Sequence, residues 1–189
     1  DPHSSVTIEK LNSHRPGLAH EINYSLAEDV IDYTGINPND AWFVFPDKGA
    51  AKRYNYDAYP NVIICEKVRN FATGKIEGIK AQIHKKTTEP SENTPIIIID
   101  DLCSYGGTFV GAIKAVENDL GIKSKNNWLI VTHAEEAMTK GSVPETFNKV
   151  FFTGSIATPR GSVDMASHDF AEDHQFHVRI MFDIVYPKN

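Results

Sequence analysis

The sequence predicts an α/β fold: a doubly wound, mainly parallel sheet of about five strands with flanking helices and a flap hairpin. Three observations predict it. Four consecutive isoleucines, Ile96 to Ile99, make a β-branched run of the kind buried on both faces inside a parallel sheet. The spacing then changes, and Phe109, Ile113, Val116 and Leu120 recur at helical intervals before Gly121, where a helix stops. Elsewhere short apolar runs alternate with helical patterns, the order that right-handed parallel crossovers require.

The elements follow in order. Asp1-Pro2-His3-Ser4, taken alone, reads as a frayed end. Arg15 to Thr34 predicts a helix, with Pro16 in its first turn, Leu18, Ile22, Leu26 and Ile31 on one stripe, and Gly35, Asn37 and Pro38 ending it. Ala41 to Phe45 is a strand. Its exit, Pro46 to Arg53, supplies a carboxylate, then small residues, then two cations. Asn61 to Glu66 is the next strand; it leads through Lys67 and Arg69 into the alternating stretch Ile76 to Ile83, a hairpin or mobile flap. Residues 84 to 94 form a polar loop before the isoleucine strand. Trp128 to His133 is another buried strand, Ala134 to Lys140 a helix closed by Gly141, and Val150 to Thr153 a fifth strand. Ser162 to Glu172 is ambiguous and reads best as a short helix. Val178 to Val185 alternates and is expected at a sheet edge.

Bulk properties narrow the function. With 189 residues, the chain has the size of a single domain spanning 1–189. A net charge of −6 and a pI near 5.7 argue against nucleic acid as a partner, because phosphate-backbone binding needs a basic surface. No apolar run approaches the roughly 18 residues that span a bilayer, so no membrane partner is expected. Two cysteines, Cys65 in a buried strand and Cys103 in a loop, make no disulfide framework; a reducing, cytoplasmic setting is expected.

The chemistry is concentrated after the isoleucines. Asp100 and Asp101 stand where that strand ends, followed by the small-residue loop Ser104-Tyr105-Gly106-Gly107-Thr108. Glycines reach the positive-φ angles of a tight phosphate-enclosing turn, and the first turn of a helix favours an anion. The two carboxylates suit sugar hydroxyls or Mg²⁺ instead. A phosphorylated sugar satisfies both halves, at the carboxyl end of a strand where ligands of open α/β sheets sit. A lone Asp-Asp or Gly-Gly is more often a solvated turn; the full order is more specific. It resembles the phosphoribosyl pyrophosphate (PRPP) motif shared by type I phosphoribosyltransferases and PRPP synthetases. Ser104 stands where the family often has Asp. Tyr105 replaces a Thr, removing a small hydroxyl expected to hold the 5-phosphate.

Further segments resemble the carboxyl-terminal half of a PRPP synthetase, from Asp1 to about Ser155. The resemblance implies a type I phosphoribosyltransferase-like fold and an amino-terminal partner domain ahead of Asp1. It implies roles by position. His3 and Asp47 would contact Mg²⁺. Asp47, Lys48, Gly49, Ala50, Lys52 and Arg53 would bind pyrophosphate, with Ala50 where a second Gly is usual. Lys67 and Arg69 would be the catalytic cations of the flap. Asp100, Asp101, Ser104, Tyr105, Gly106, Gly107 and Thr108 would hold ribose 5-phosphate or PRPP. The implied reaction moves the diphosphoryl group of ATP to ribose 5-phosphate, in a homo-oligomer. Two alternatives stay open: a phosphoribosyltransferase that uses PRPP, and a non-catalytic PRPP-binding regulatory subunit.

Overall fold

The computed structural model of the chain describes residues 26–70, 73–74, 76–153, 156, 162–164 and 178–182, together with Lys10 and Ser13. The first helix, α1 (Leu26–Thr34), buries Leu26, Ala27 and Val30 and closes at Gly35 with φ +63°. The expected start of this helix at Arg15 lies outside the described residues, as do Asp1 and His3. Strand β1 (Trp42–Phe45) leads into the short helix α2 (Lys48–Arg53). Strands β2 (Val62–Arg69) and β3 (Ile76–Lys85) form the expected hairpin. Strand β4 (Ile96–Cys103) feeds helix α3 (Gly107–Leu120), which ends at Gly121 with φ +69°. Then come β5 (Asn127–Ala134), a 3-10 helix (Glu136–Lys140), a short helix α4 (Val143–Thr146), β6 (Lys149–Thr153), β7 (Ser162–Asp164) and β8 (Val178–Phe182).

One sheet runs β3-β2-β1-β4-β5-β6-β8-β7. Its five central members, β2, β1, β4, β5 and β6, are parallel; β3 and β8 add antiparallel strands. The isoleucine run behaves as a doubly buried strand should. Ile96 and Ile98 pack with Trp42, Ile63, Phe109 and Val116 on the α3 face, while Ile97 and Ile99 pack with Phe43, Ala50 and Val30 on the face of α1 and α2.

Several expectations need correcting. Val178–Phe182 is a strand but not the edge: β7 pairs outside it, so Ser162–Asp164 is strand, not helix. The helix expected over 134–140 is present as a 3-10 helix capped by Gly141, but it begins at Glu136 because Ala134 closes β5. Cys103 is the buried last residue of β4 and not part of a loop. Strand β4 also continues through Asp100 and Asp101, which were expected beyond its end. Finally, the hairpin is part of the sheet body: Lys67 and Arg69 lie on β2 itself, and β3 packs on α3, where the Ala81 N–H donates to Asp119 Oδ2 at 2.9 Å. Among the described residues no helix is long and apolar enough to cross a membrane.

Candidate functional site

The sheet order creates a switch point. From β1 the chain crosses to β2 on one side; from β4 it crosses to β5 on the other. Between the carboxyl ends of β1 and β4 the two connections diverge, leaving the crevice where open α/β sheets bind ligands. Strand β1 stops at Phe45 while β4 runs on to Cys103, so Asp100 passes beyond its pairing with β1 and faces that opening.

Asp47 caps α2: its Oδ1 accepts from the Ala50 N–H at 2.9 Å, one of the donors that a helix start leaves unsatisfied. Its Oδ2 faces the Lys67 ammonium at 4.0 Å. Small residues let α2 lie close to the sheet, with Ala50 and Ala51 buried; a Cβ at Gly49 would already stand 3.0 Å from Asp47 Oδ1. From the last turn of α2, Arg53 Nη1 lies 3.4 Å from Asp100 Oδ1 and 3.3 Å from Asp101 Oδ2, with all three side chains at most 17% exposed. Adjacent strand residues point to opposite faces. A single guanidinium reaches both because it stands over the gap that β1 vacates.

Burial dominates the titration here. It pushes the Asp100 carboxyl up to about 7, with the neighbouring Asp101 charge and the more distant Asp47 charge pushing the same way. The Asp101 N–H, 3.0 Å from Asp100 Oδ1, opposes this. Tyr54 lies beneath, bonded to the Thr132 hydroxyl and raised well above the usual phenol range by burial. Its ring carries the Arg53 guanidinium at 5.8 Å. His133 on β5 is held below the usual imidazole range by burial, against the pull of Asp101.

The glycine turn is built as its composition predicts. Gly106 has φ +75° and caps α3 with no side chain of its own. A Cβ there would meet Val143 Cγ2 at 2.0 Å, and one at Gly141 would meet the Tyr105 carbonyl oxygen at 2.3 Å. The loop is therefore pinned from outside by Gly141 and Val143. Ser104 and Thr108 are half-buried and Gly107 is exposed. Tyr105 is 63% exposed and turned outward.

The structure thus brings together Asp47, Arg53, Lys67, Asp100 and Asp101, with the 104–108 turn next along β4. It does not bring in every expected residue. Lys48 pairs with Glu66 at the rim. Lys52 is exposed. Arg69 donates to the Gly74 carbonyl at 3.3 Å, at the hairpin turn. Sequence reasoning missed Tyr54, and it noted His133 without a role; neither has a spacing that marks it. Asp47 is a hard oxygen donor of the kind Mg²⁺ takes; among the described residues no group of three or more His, Cys, Asp or Glu could hold a metal ion.

No family model and no curated protein matches the chain. Solved structures similar to it include a PRPP synthetase from Mycobacterium smegmatis, with 19% identity, TM-score 0.39, and a match over 62% of this chain and 35% of that one. An adenine phosphoribosyltransferase from Saccharomyces cerevisiae shares 14% identity at TM-score 0.38, over 68% and 76% of the two chains. A hypothetical protein from Neisseria gonorrhoeae with bound ppGpp shares 16% identity at TM-score 0.41, over 75% and 78%. The match thus spans about a third of the synthetase.

Proposed function

We propose that the chain carries the diphosphoryl-transfer site of a ribose-phosphate diphosphokinase-like enzyme, which makes PRPP and AMP from ribose 5-phosphate and ATP. The observation that supports this is the meeting of two cations and three carboxylates, Arg53 and Lys67 with Asp47, Asp100 and Asp101, around the β1–β4 crevice beside a glycine turn. Carboxylates accept from sugar hydroxyls, cations neutralise phosphates, and one ligand carrying both needs both.

The roles follow from position. Asp100 and Asp101 accept the 2- and 3-hydroxyls of the ribose. Backbone N–H groups of the 106–108 turn hold the 5-phosphate where α3 begins. The Asp47–Arg53 segment and Lys67 hold the diphosphoryl group. The anomeric hydroxyl oxygen attacks the β-phosphorus; the bond to the α,β-bridging oxygen breaks, AMP leaves with that electron pair, and the hydroxyl proton passes to solvent. Lys67, and Arg69 once it leaves the hairpin turn, stabilise the charge that builds on the transferring group. Mg²⁺, held by Asp47 with His3, would supply further neutralisation of the phosphates.

Tyr105 favours a second reading, PRPP binding without turnover, because an exposed phenol stands where a small hydroxyl would grip the phosphate. Phosphorus NMR of the protein with Mg-ATP and ribose 5-phosphate separates the cases. AMP formed together with PRPP supports diphosphoryl transfer. Pyrophosphate released from PRPP only when a free base is added supports a phosphoribosyltransferase, and saturable PRPP binding with neither product supports the second reading.

A further inference from the structure

The ion pairs at the crevice have a consequence for the order in which ligands enter. Three of the cations assigned to the diphosphate are held by acidic side chains: Lys48 by Glu66, Lys67 by Asp47, and Arg53 by Asp100 and Asp101. The first two pairs sit at the rim, where Lys48 is 73% and Asp47 45% exposed, so water competes for them. The third is different. Arg53 and both aspartates are 13–17% exposed, and the guanidinium stands where sugar hydroxyls would have to approach the carboxylates.

We infer that Arg53 is an exchange residue: it covers Asp100 and Asp101 in the empty site, and a diphosphate group draws it off, so that diphosphate and sugar phosphate bind with positive coupling. This rests on the assignment of the crevice proposed above and deepens it. Arginine's planar fork matches a phosphate bidentately as well as it matches a carboxylate, so transfer between them loses little. Arg53 leaves from the last turn of α2, the six-residue helix that Asp47 caps, so a swing of one side chain connects the two half-sites. The two carboxylates crowd one another in a buried setting, so a departing cation leaves them in need of hydrogen-bond donors, which ribose hydroxyls supply. Tyr54 lies below the guanidinium, 5.8 Å from it, in the paired position. By linkage the coupling is reciprocal: sugar phosphate must strengthen diphosphate binding by the same factor.

The test is calorimetric titration of ribose 5-phosphate, with and without saturating inorganic pyrophosphate at fixed Mg²⁺, on the wild-type chain and on Arg53→Gln. The expected result for the wild type is tighter sugar-phosphate binding with pyrophosphate present, by about five- to about 150-fold, the usual span of such couplings. Arg53→Gln is expected to bind ribose 5-phosphate alone more tightly than the wild type and to lose the coupling. A wild-type factor of one overturns the inference while leaving the crevice assignment standing; it needs no variant to fold. Coupling that survives in Arg53→Gln overturns it too, since another residue then carries the exchange. Failure of the wild type to bind either ligand removes the crevice assignment itself, and the inference with it.

Discussion

The two ends of the parallel sheet treat their polar groups in opposite ways. At the amino end the buried polar groups are neutral and, the Trp42 indole apart, hydrogen-bonded. Asn61, fully buried ahead of β2, donates to the Asn39 and Ala41 carbonyls and accepts from the Thr87 and Thr88 N–H groups and the Thr87 hydroxyl. Ser124 Oγ donates to the Thr94 carbonyl at 2.6 Å, and Asn148 Oδ1 accepts from the Asn127 N–H at 2.8 Å. These amides tie the loop 86–95 and the strand starts together. At the carboxyl end the polar groups are ionisable, clustered and paired through charge contacts of 3.3 to 4.0 Å. Neutral satisfied groups stabilise a fold; charges that hold one another loosely are able to change partners.

Substitutions at either end of the sheet separate the two behaviours. The largest effect expected is on activity: Lys67→Ala should lower AMP formation by about a hundred- to a thousandfold while leaving ribose 5-phosphate affinity nearly unchanged, since the ammonium faces Asp47 and not the sugar carboxylates. Steady-state rates beside a binding titration check both halves, and equal loss of both would move Lys67 into the sugar site. The next is on stability. Asn61→Leu orphans several buried partners at once and should cost on the order of 3 kcal/mol, read as a shifted urea midpoint with intact ligand binding if the protein is assayed folded. Gly106→Ala forces a side chain to φ +75° against Val143 and should cost about 2 kcal/mol and weaken phosphate binding as well.

A smaller effect sharpens the contrast by pH. The Asp100 carboxyl is raised from 3.8 to about 7, so the folded chain binds this proton more tightly than the unfolded one. Its favourable contribution is fully present below about 4 and is lost as pH rises through 7. Urea midpoints should therefore fall from pH 5 to pH 8, and Asp100→Asn should flatten that decline; an equally steep decline in the variant would place the titration elsewhere. Smallest of all is Trp42→Phe at the amino end. The indole Nε1 is buried with no hydrogen-bond partner, beside a cleft of about 370 Å³ lined by Ile83, Leu120 and Ile122. Removing that donor offsets part of the lost ring packing, and the change should stay within about 1 kcal/mol by thermal unfolding.

Legibility followed pattern length. The parallel strands could be read because runs such as Ile96–Ile99 and Trp128–Val131 must be apolar on both faces, a constraint that writes itself into consecutive residues. Strand β7, three residues long, carries no such signal, and alternation in Val178–Phe182 says which faces it has but not which strands flank it. Helix α4, with four residues, is likewise too short for a helical stripe. In the site, Asp100, Asp101 and the glycines stood out because adjacent carboxylates and φ-permissive residues have local causes. The contact from Arg53 to Asp100 crosses 47 positions and exists only because β1 ends early between them. Tyr54 reaches Thr132 through the same fold-level geometry. The pinning of Gly106 by Val143 is also long-range, so the sequence shows the glycine but not what holds its turn.

Binding of a phosphorylated sugar in the carboxyl-end crevice is tested most plainly by direct titration of PRPP, comparing the wild type with the Asp100→Asn/Asp101→Asn double variant. Saturable wild-type binding that weakens at least about tenfold in a double variant with unchanged folded-state spectra, as two lost charge-assisted hydrogen bonds predict, would agree with it. Equal affinity in both proteins, or no binding by the wild type, would contradict it.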